Sequence, residues 1–264
     1  NELVISLSNV IKQAGNEIDG ILILIDEADR PAEKASLGEL IKLLTEKLTK
    51  RGCDRVIIGM TGQPGLIEKL KASHESSSRI FTNIILKPLS DSENKAVVLS
   101  GLKESNAKNP FITTIEEEAL DLISHLSEGY PHFLQEFAFK SFDQDVDHII
   151  CTEDVKNGAF GVNGALNQLG YKYFNNLYFN QIGSNEYRRV LQAVAQFSDN
   201  WVDREMINQV ISIKEHTLNN AFQALKNRNI IHVNPAQKGQ FRLPTKSFAA
   251  WIKAYNVLDY NPIN

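Results

Sequence analysis

The residues best placed to do chemistry are Asp26 and Glu27. They end the run Ile21-Leu22-Ile23-Leu24-Ile25, which is apolar throughout and mostly β-branched, and Ala28-Asp29 follows them. A continuous apolar run of this length reads as a strand of a parallel sheet, buried on both faces. Ligands of open α/β sheets bind just beyond the carboxyl ends of such strands. A carboxylate there can activate a water held within hydrogen-bond reach. The competing reading is a buried strand that ends in a solvated acidic turn.

Other polar residues recur at the ends of predicted elements. A second buried-strand pattern, Arg55 to Met60, runs into Thr61-Gly62-Gln63-Pro64. Pro64 is suited to open a short helix through Lys71, because its missing N–H costs nothing in a first turn. A polar loop, Ser73 to Ser78, leads to Arg79, and Gly129-Tyr130-Pro131-His132 precedes a predicted helix.

The elements that must hold these residues follow from periodicity. Residues 3–18 carry an imperfect helical stripe. Ala35 to Arg51 is strongly helical, with Leu37, Leu40, Ile41, Leu44 and Leu48 on one face. Ser36 and Glu39 have capping-box spacing, and Gly52 is placed to stop the helix. Thr82 to Leu86 reads as a third strand, followed by a helix from Ser90 or Asp91. Strands alternating with helices predict an α/β fold with a parallel sheet. From Glu93 to Phe142 all is read as helix, about 91–104, 114–127 and 131–143, and 152–182 is read as helical with uncertain bounds. Helices over 185–197, 202–211 and 215–228 then precede two short strands, Ile230 to Val233 and Gln240 to Leu243. They are separated by a Pro/Gly-containing turn, and a closing helix spans 245–255. Helix–helix–helix–hairpin is a winged-helix order.

Composition is that of an ordinary globular protein, 42% hydrophobic and 23% charged, with a net charge of −4. Gly183 to the end holds ten Lys/Arg against six Asp/Glu, a net of +4, leaving −8 for the remainder. A basic C-terminal part permits a nucleic-acid contact there without demanding one. The only cysteines, Cys53 and Cys151, have no His or Cys at metal spacing. That argues against a zinc site or a disulfide scaffold and for a reducing cytoplasm. No apolar run approaches the ~18 residues of a membrane span. The first residue is Asn1, within a helical pattern, which suggests a fragment or a processed chain.

Taken in order, these features resemble the AAA+ P-loop ATPases, most closely the initiator-like branch related to origin-recognition ATPases. The acidic strand end resembles their Walker B motif, and Gly62-Gln63-Pro64-Gly65-Leu66 is similar to the corresponding turn in AAA+ ATPases of secretion and transposition systems. The resemblance implies a partial AAA+ core over 1–90, a helical lid with connecting helices over 91–182 and a winged-helix domain over 183–264. Asp26 would support Mg²⁺, and Glu27 would orient or activate the attacking water. Thr61 and Gln63 are both candidates for the sensor of the terminal phosphate, with Gln63 slightly favoured. Arg79 matches the arginine finger, which acts on a neighbouring subunit's nucleotide in a homo-oligomer. His132 occupies the sensor-2 position, where the family often has arginine; a histidine is a weaker, pH-dependent phosphate contact.

One part of the pattern is missing. A P-loop needs GxxxxGK[ST], and the chain contains no Gly-Lys dipeptide. The resemblance places the P-loop strand between the second and third strands found here, so the sheet would have a gap at its centre. The complete protein would then be an ATP hydrolase using ATP and Mg²⁺, and this chain alone would be inactive. Asp26 to Asp29 also spells the acidic box of DEAD-type helicases, but Thr61-Gly62-Gln63 is not the Ser-Ala-Thr-like motif such enzymes need.

Within the winged-helix pattern, helix 215–228 is the groove-reading helix. It would expose His216, Asn219, Asn220, Gln223 and Lys226, and Asn and Gln can pair bidentately with adenine. Lys214, Lys226, Arg228, Lys238 and Arg242 could hold phosphates. The sequence therefore reads first as an ATP-dependent switch engaging DNA. A signalling or defence ATPase whose winged helix binds protein, and a non-catalytic scaffold, are the alternatives.

Overall fold

A computed structural model of the chain describes residues 2–63, 65–198 and 200–255, so the expectation for Pro64 lies outside the described residues. The chain divides into two compact units, Asn1–Leu86 and Lys87–Asn264. No helix among the described residues is long and apolar enough to cross a membrane.

In the first unit, β1 (Ile21–Ile25) and β2 (Val56–Met60) pair in parallel, in register from Ile21↔Val56 to Ile25↔Met60. The helices α1 (Glu2–Ala14) and α2 (Leu37–Lys50) cover one face of this pair. Val4 and Ile11 of α1 and Leu44 and Leu48 of α2 form a cluster with Ile21, Val56 and Ile58. Burial on both faces is not what the structure shows. Leu22, Leu24 and Ile57 are 61%, 73% and 68% exposed, because nothing among the described residues covers the second face.

The third strand is also absent. Thr82 to Leu86 makes no ladder, and Ile84, Ile85 and Leu86 are exposed. A strand needs a partner for its backbone groups, and a cleft of about 460 Å³ lies along this segment, lined by Ile58, Gly59 and Met60 of β2 and by Phe81 to Ile84. The predicted polar loop before Arg79 is instead a 3₁₀-helix, Glu75–Ile80, started by His74, whose ring Nδ1 accepts from the Ser76 N–H.

The expected capping box of α2 does not form. Ser36 stands in the left-handed region at φ 48° and its side chain caps nothing. The orphan N–H of Gly38 instead donates to Ser73 Oγ at 2.9 Å, at the end of α3 (Leu66–Ser73). A tertiary contact has replaced the local cap.

The second unit begins with α4 (Asp91–Lys108), capped by Ser90 and Glu93. Lys95 of α4 pairs with Asp91, Glu117 and Asp121, tying it to α5 (Glu117–Ser127). The all-helix expectation misses a two-residue strand, β3 (Thr114–Ile115), which pairs in parallel with β4 (Ile149–Ile150) after α6 (Pro131–Gln144). Short strands give too little alternation to be read. The segment 152–182 is helical but broken: α7 (Thr152–Phe160), α8 (Ala165–Leu169), then two π-helical turns, Gly170–Phe174 and Asn176–Asn180. Arg188 closes this segment by donating to the carbonyls of Tyr178, Phe179 and Ile182.

The C-terminal part comprises α9 (Asn185–Gln196), α10 (Arg204–Val210), α11 (Glu215–Asn227), the hairpin β5 (His232–Val233) and β6 (Phe241–Arg242), and α12 (Lys246–Tyr255). A bridge from Val202 to Phe241 adds a third short rung to the hairpin, and Phe222 of α11 stacks on Phe241 at 4.1 Å. One continuous core runs from Ile123 and Leu134 through Leu169 and Tyr178 to Leu191, Leu218 and Trp251. Glu128 anchors α12 by accepting the Ser247 N–H at 2.9 Å.

Candidate functional site

The parallel register brings the ends of β1 and β2 side by side, and so places the acidic turn against Thr61. The Thr61 N–H donates to the Ile25 carbonyl at 2.9 Å and the Ala28 N–H to the Thr61 carbonyl at 2.8 Å. Across this joint, Asp26 Oδ1 accepts from the Thr61 hydroxyl and, at 2.8 Å, from the Glu27 N–H. The Thr61 hydroxyl first, then the Glu27 N–H, hold the Asp26 carboxyl below its ordinary value of 3.8, since both bonds favour the charged form. Asp26 is thus a solvent-facing carboxylate kept ionised.

Glu27 stands at φ 50°, in the left-handed region that non-glycine residues seldom occupy. Its carboxylate pairs with Arg30 at 2.7 Å, and both side chains are largely exposed. Exposed pairs of this kind contribute about 0–1 kcal/mol, so Glu27 is free to exchange Arg30 for another partner. Gln63 joins the site through its backbone: its N–H donates to Asp29 Oδ1 at 3.0 Å. Lys69 of α3 braces the same turn by donating to the Asp29 carbonyl. Neither brace follows from the sequence pattern. Asp29 was visible as part of an acidic run, whereas nothing in the sequence marks Lys69.

Of the sequence candidates, Asp26, Glu27, Thr61 and Gln63 therefore meet at one strand edge. Arg79 lies in the same unit, exposed at the end of the 3₁₀-helix that packs on α2 and α3. His132 belongs to the second unit, one residue after Pro131 opens α6. Its ring lies edge-on to Tyr173 at 5.5 Å, and Nε2 is buried with no hydrogen-bond partner among the described residues. The turn before it is fixed by Gly129 at φ +77°. The Leu89 N–H donates to the Gly129 carbonyl, and a Cβ at Gly129 would stand 2.4 Å from the Leu89 carbonyl oxygen.

On α11, His216, Asn220, Gln223 and Lys226 are exposed, as are Lys214, Arg228, Lys238 and Arg242. Asn219 departs from its expected place on the open face. It is half-buried, with Oδ1 buried and unpartnered among the described residues, because it lies three residues before the core residue Phe222. Arg242 lies over the Trp201 ring at 4.5 Å and stands directly across the hairpin from His232. Partial burial first, and the Arg242 charge second, hold the His232 pKa below 6.5.

No protein-family model matches the chain, and no curated protein matches it in sequence. Solved structures do. The ORC2 protein of Aeropyrum pernix in its ADPNP–ADP complexes aligns with a TM-score of 0.55 and 14% identity, over 96% of this chain and 68% of its own. Its ADP form gives 0.49 and 12% over 96% and 68%, and Cdc6p of Pyrobaculum aerophilum gives 0.45 and 13% over 96% and 69%. The likeness is one of fold, and the first of the three carries it: a small parallel α/β part followed by a helical part, similar in fold to the A. pernix ORC2 protein.

Proposed function

We propose that the chain is the acid-bearing part of an initiator-like AAA+ ATPase, an ATP-dependent switch that engages DNA through its C-terminal winged helix. The observation that carries this reading is the joint between Asp26 and Thr61, a carboxylate held ionised at the end of a parallel strand. Such a carboxylate suits Mg²⁺, a hard cation that takes oxygen ligands. Glu27 beside it is the group to orient water once it leaves Arg30. Because the Thr61 hydroxyl touches Asp26, while among the described residues Gln63 engages the turn by its backbone N–H, the geometry favours Thr61 as the phosphate sensor. Arg79 is then the group to act on a neighbouring copy's nucleotide.

The triphosphate itself is not accommodated by these residues alone. No glycine-rich cradle is present, and the cleft between β2 and Phe81 to Ile84 is where a further parallel strand, carrying that cradle, would pair. The A. pernix ORC2 protein forms ADPNP–ADP complexes, and this reading assigns a nucleotide to the carboxyl ends of β1 and β2 here.

The test is ATP turnover by the full-length gene product. Glu27→Gln is expected to lower turnover by about 10²–10⁴-fold while nucleotide binding persists, the range for loss of a general base. Unchanged turnover would refute the role of Glu27. A full-length product that neither binds nor hydrolyses ATP would identify a scaffold instead.

A further inference from the structure

The second unit contains an apolar groove that the nucleotide reading does not use. It has a volume of about 480 Å³ and lies between α4 and α6, with Val97, Gly101 and Leu102 on one wall and Phe139, Phe142 and Ile150 among the residues opposite. Val97 is 43% exposed and Phe139 60%. Of all the residues in α4, only Asn94 is buried. The N-terminal half of the helix is fastened by polar contacts, through Lys95 and through Asn94 and Asp91 to Ser124. Midway along it, Val97 and Leu99 stay exposed, while Val98 and Leu102 pack only partly buried against the core.

Gly101 sharpens the point. A glycine inside a helix costs about 1 kcal/mol relative to alanine, and close packing is the usual compensation. Here a Cβ at position 101 would meet nothing within 4 Å. Among the described residues the glycine makes room for no neighbour; what its missing side chain does is keep the groove wall open.

The surroundings are acidic. The turn joining the lining residues Phe142 and Ile150 carries Asp143, Asp145 and Asp147, and Glu116 and Glu118 follow the lining residue Ile115. Lys140 partly offsets Asp143 at 3.9 Å, and on α4 Lys108 is paired with Glu104 at 2.6 Å. Exposed Phe111 and Ile112 extend the apolar surface beside this turn, with Phe111 stacked on His148 at 5.0 Å. Contiguous exposed apolar surface of this kind marks interaction sites.

We infer that this groove receives an amphipathic helix of a partner protein, with apolar side chains entering between α4 and α6 and a Lys/Arg-bearing flank facing Asp145, Asp147 and Glu118. Two helices flanking an apolar trough fit the helix-in-groove mode of recognition, and the acidic rim selects the sign of the partner's charge. This inference is independent of ATP and DNA binding.

The experiment pans a displayed library of random peptides of about 20 residues, long enough to sustain a helix, against the chain. The expected winners carry apolar residues at i, i+3 or i+4, and i+7, together with Lys/Arg. Synthetic winners should bind at least about tenfold more weakly to Gly101→Leu, which fills the groove, and to Glu118→Lys, which reverses the rim. Gly101→Leu should melt no lower than the parent, since position 101 faces open space. No enrichment, winners that bind Gly101→Leu undiminished, or winners without basic residues would overturn the inference. So would self-association that Gly101→Leu abolishes, or capture only of a fatty acid probe, because the occupant would then be a second copy or an acyl chain.

Discussion

The hydroxyl of Thr61 donates to Asp26 Oδ1, joining residues 35 positions apart where β1 and β2 end. The bond makes the acidic turn part of a two-strand edge. It also holds the Asp26 carboxyl below its ordinary value although it faces solvent, because a donor fixed by the neighbouring strand favours the carboxylate. Thr61→Val is therefore expected to raise the Asp26 pKa toward 3.8, read by carbon NMR of the labelled carboxyl across a pH series. The sign for stability follows. The folded value lies below the unfolded one, so the contribution of Asp26 is present above the ordinary carboxylate range and disappears as pH falls through the folded value. Thr61→Val should soften that acid limb. An unmoved Asp26 would mean the hydroxyl bond is not formed in solution.

The start of α2 offers a test on stability alone. Ser73 supplies the cap to Gly38 from another helix, while Ser36 caps nothing. Ser73→Ala should cost about 1 kcal/mol, the usual value of a lost cap. Ser36→Gly should be neutral or stabilising by up to about 1 kcal/mol, because glycine accepts φ 48° without strain. Urea denaturation of the two variants decides it: equal losses would restore the local capping box.

His232 and Arg242 face each other across the hairpin. Burial and that positive neighbour hold His232 below 6.5, so folding favours its neutral form. The sign is that stability is complete above the unfolded value of about 6.5 and declines as pH falls through the folded value. Arg242→Gln should bring the His232 pKa back toward 6.5, and His232→Gln should remove its share of the loss below that pH. Proton NMR of the ring and thermal melting across pH 5–8 check both expectations.

The proposed DNA contact rests on exposed Lys226 and Arg242, the latter stacked on Trp201. Lys226→Ala and Arg242→Ala should each weaken duplex binding about equally across sequences. Each should also reduce the slope of log affinity against log salt by about 1, the mark of one lost phosphate contact. Duplex binding that is flat with salt, or unchanged in both variants, would turn the winged helix into a protein-binding or packing element.

The sequence by itself determined a good deal of this arrangement. The run Ile21 to Ile25 reads as a strand, and its sharp change to Asp26-Glu27 locates the edge. The stripe of α2, the start of α4 at Ser90 or Asp91 and Pro131 at the start of α6 are local signals, legible because a helix needs only its own few residues to bury a face or satisfy its first N–H groups. Tertiary structure decided whatever depends on a partner distant in the chain. Thr82 to Leu86 has the pattern of a strand, yet pairing needs a neighbour and none among the described residues stands beside it. Leu22 and Leu24 have the composition of a buried face and are exposed for the same reason. Ser36 has capping spacing, but Ser73 arrives from α3 and takes the role. Asn219 lies on the helix that was read as open, and its neighbours in the core draw it inward. Residue types specify which groups seek burial or a hydrogen bond; only the folded chain determines which other group is close enough to answer.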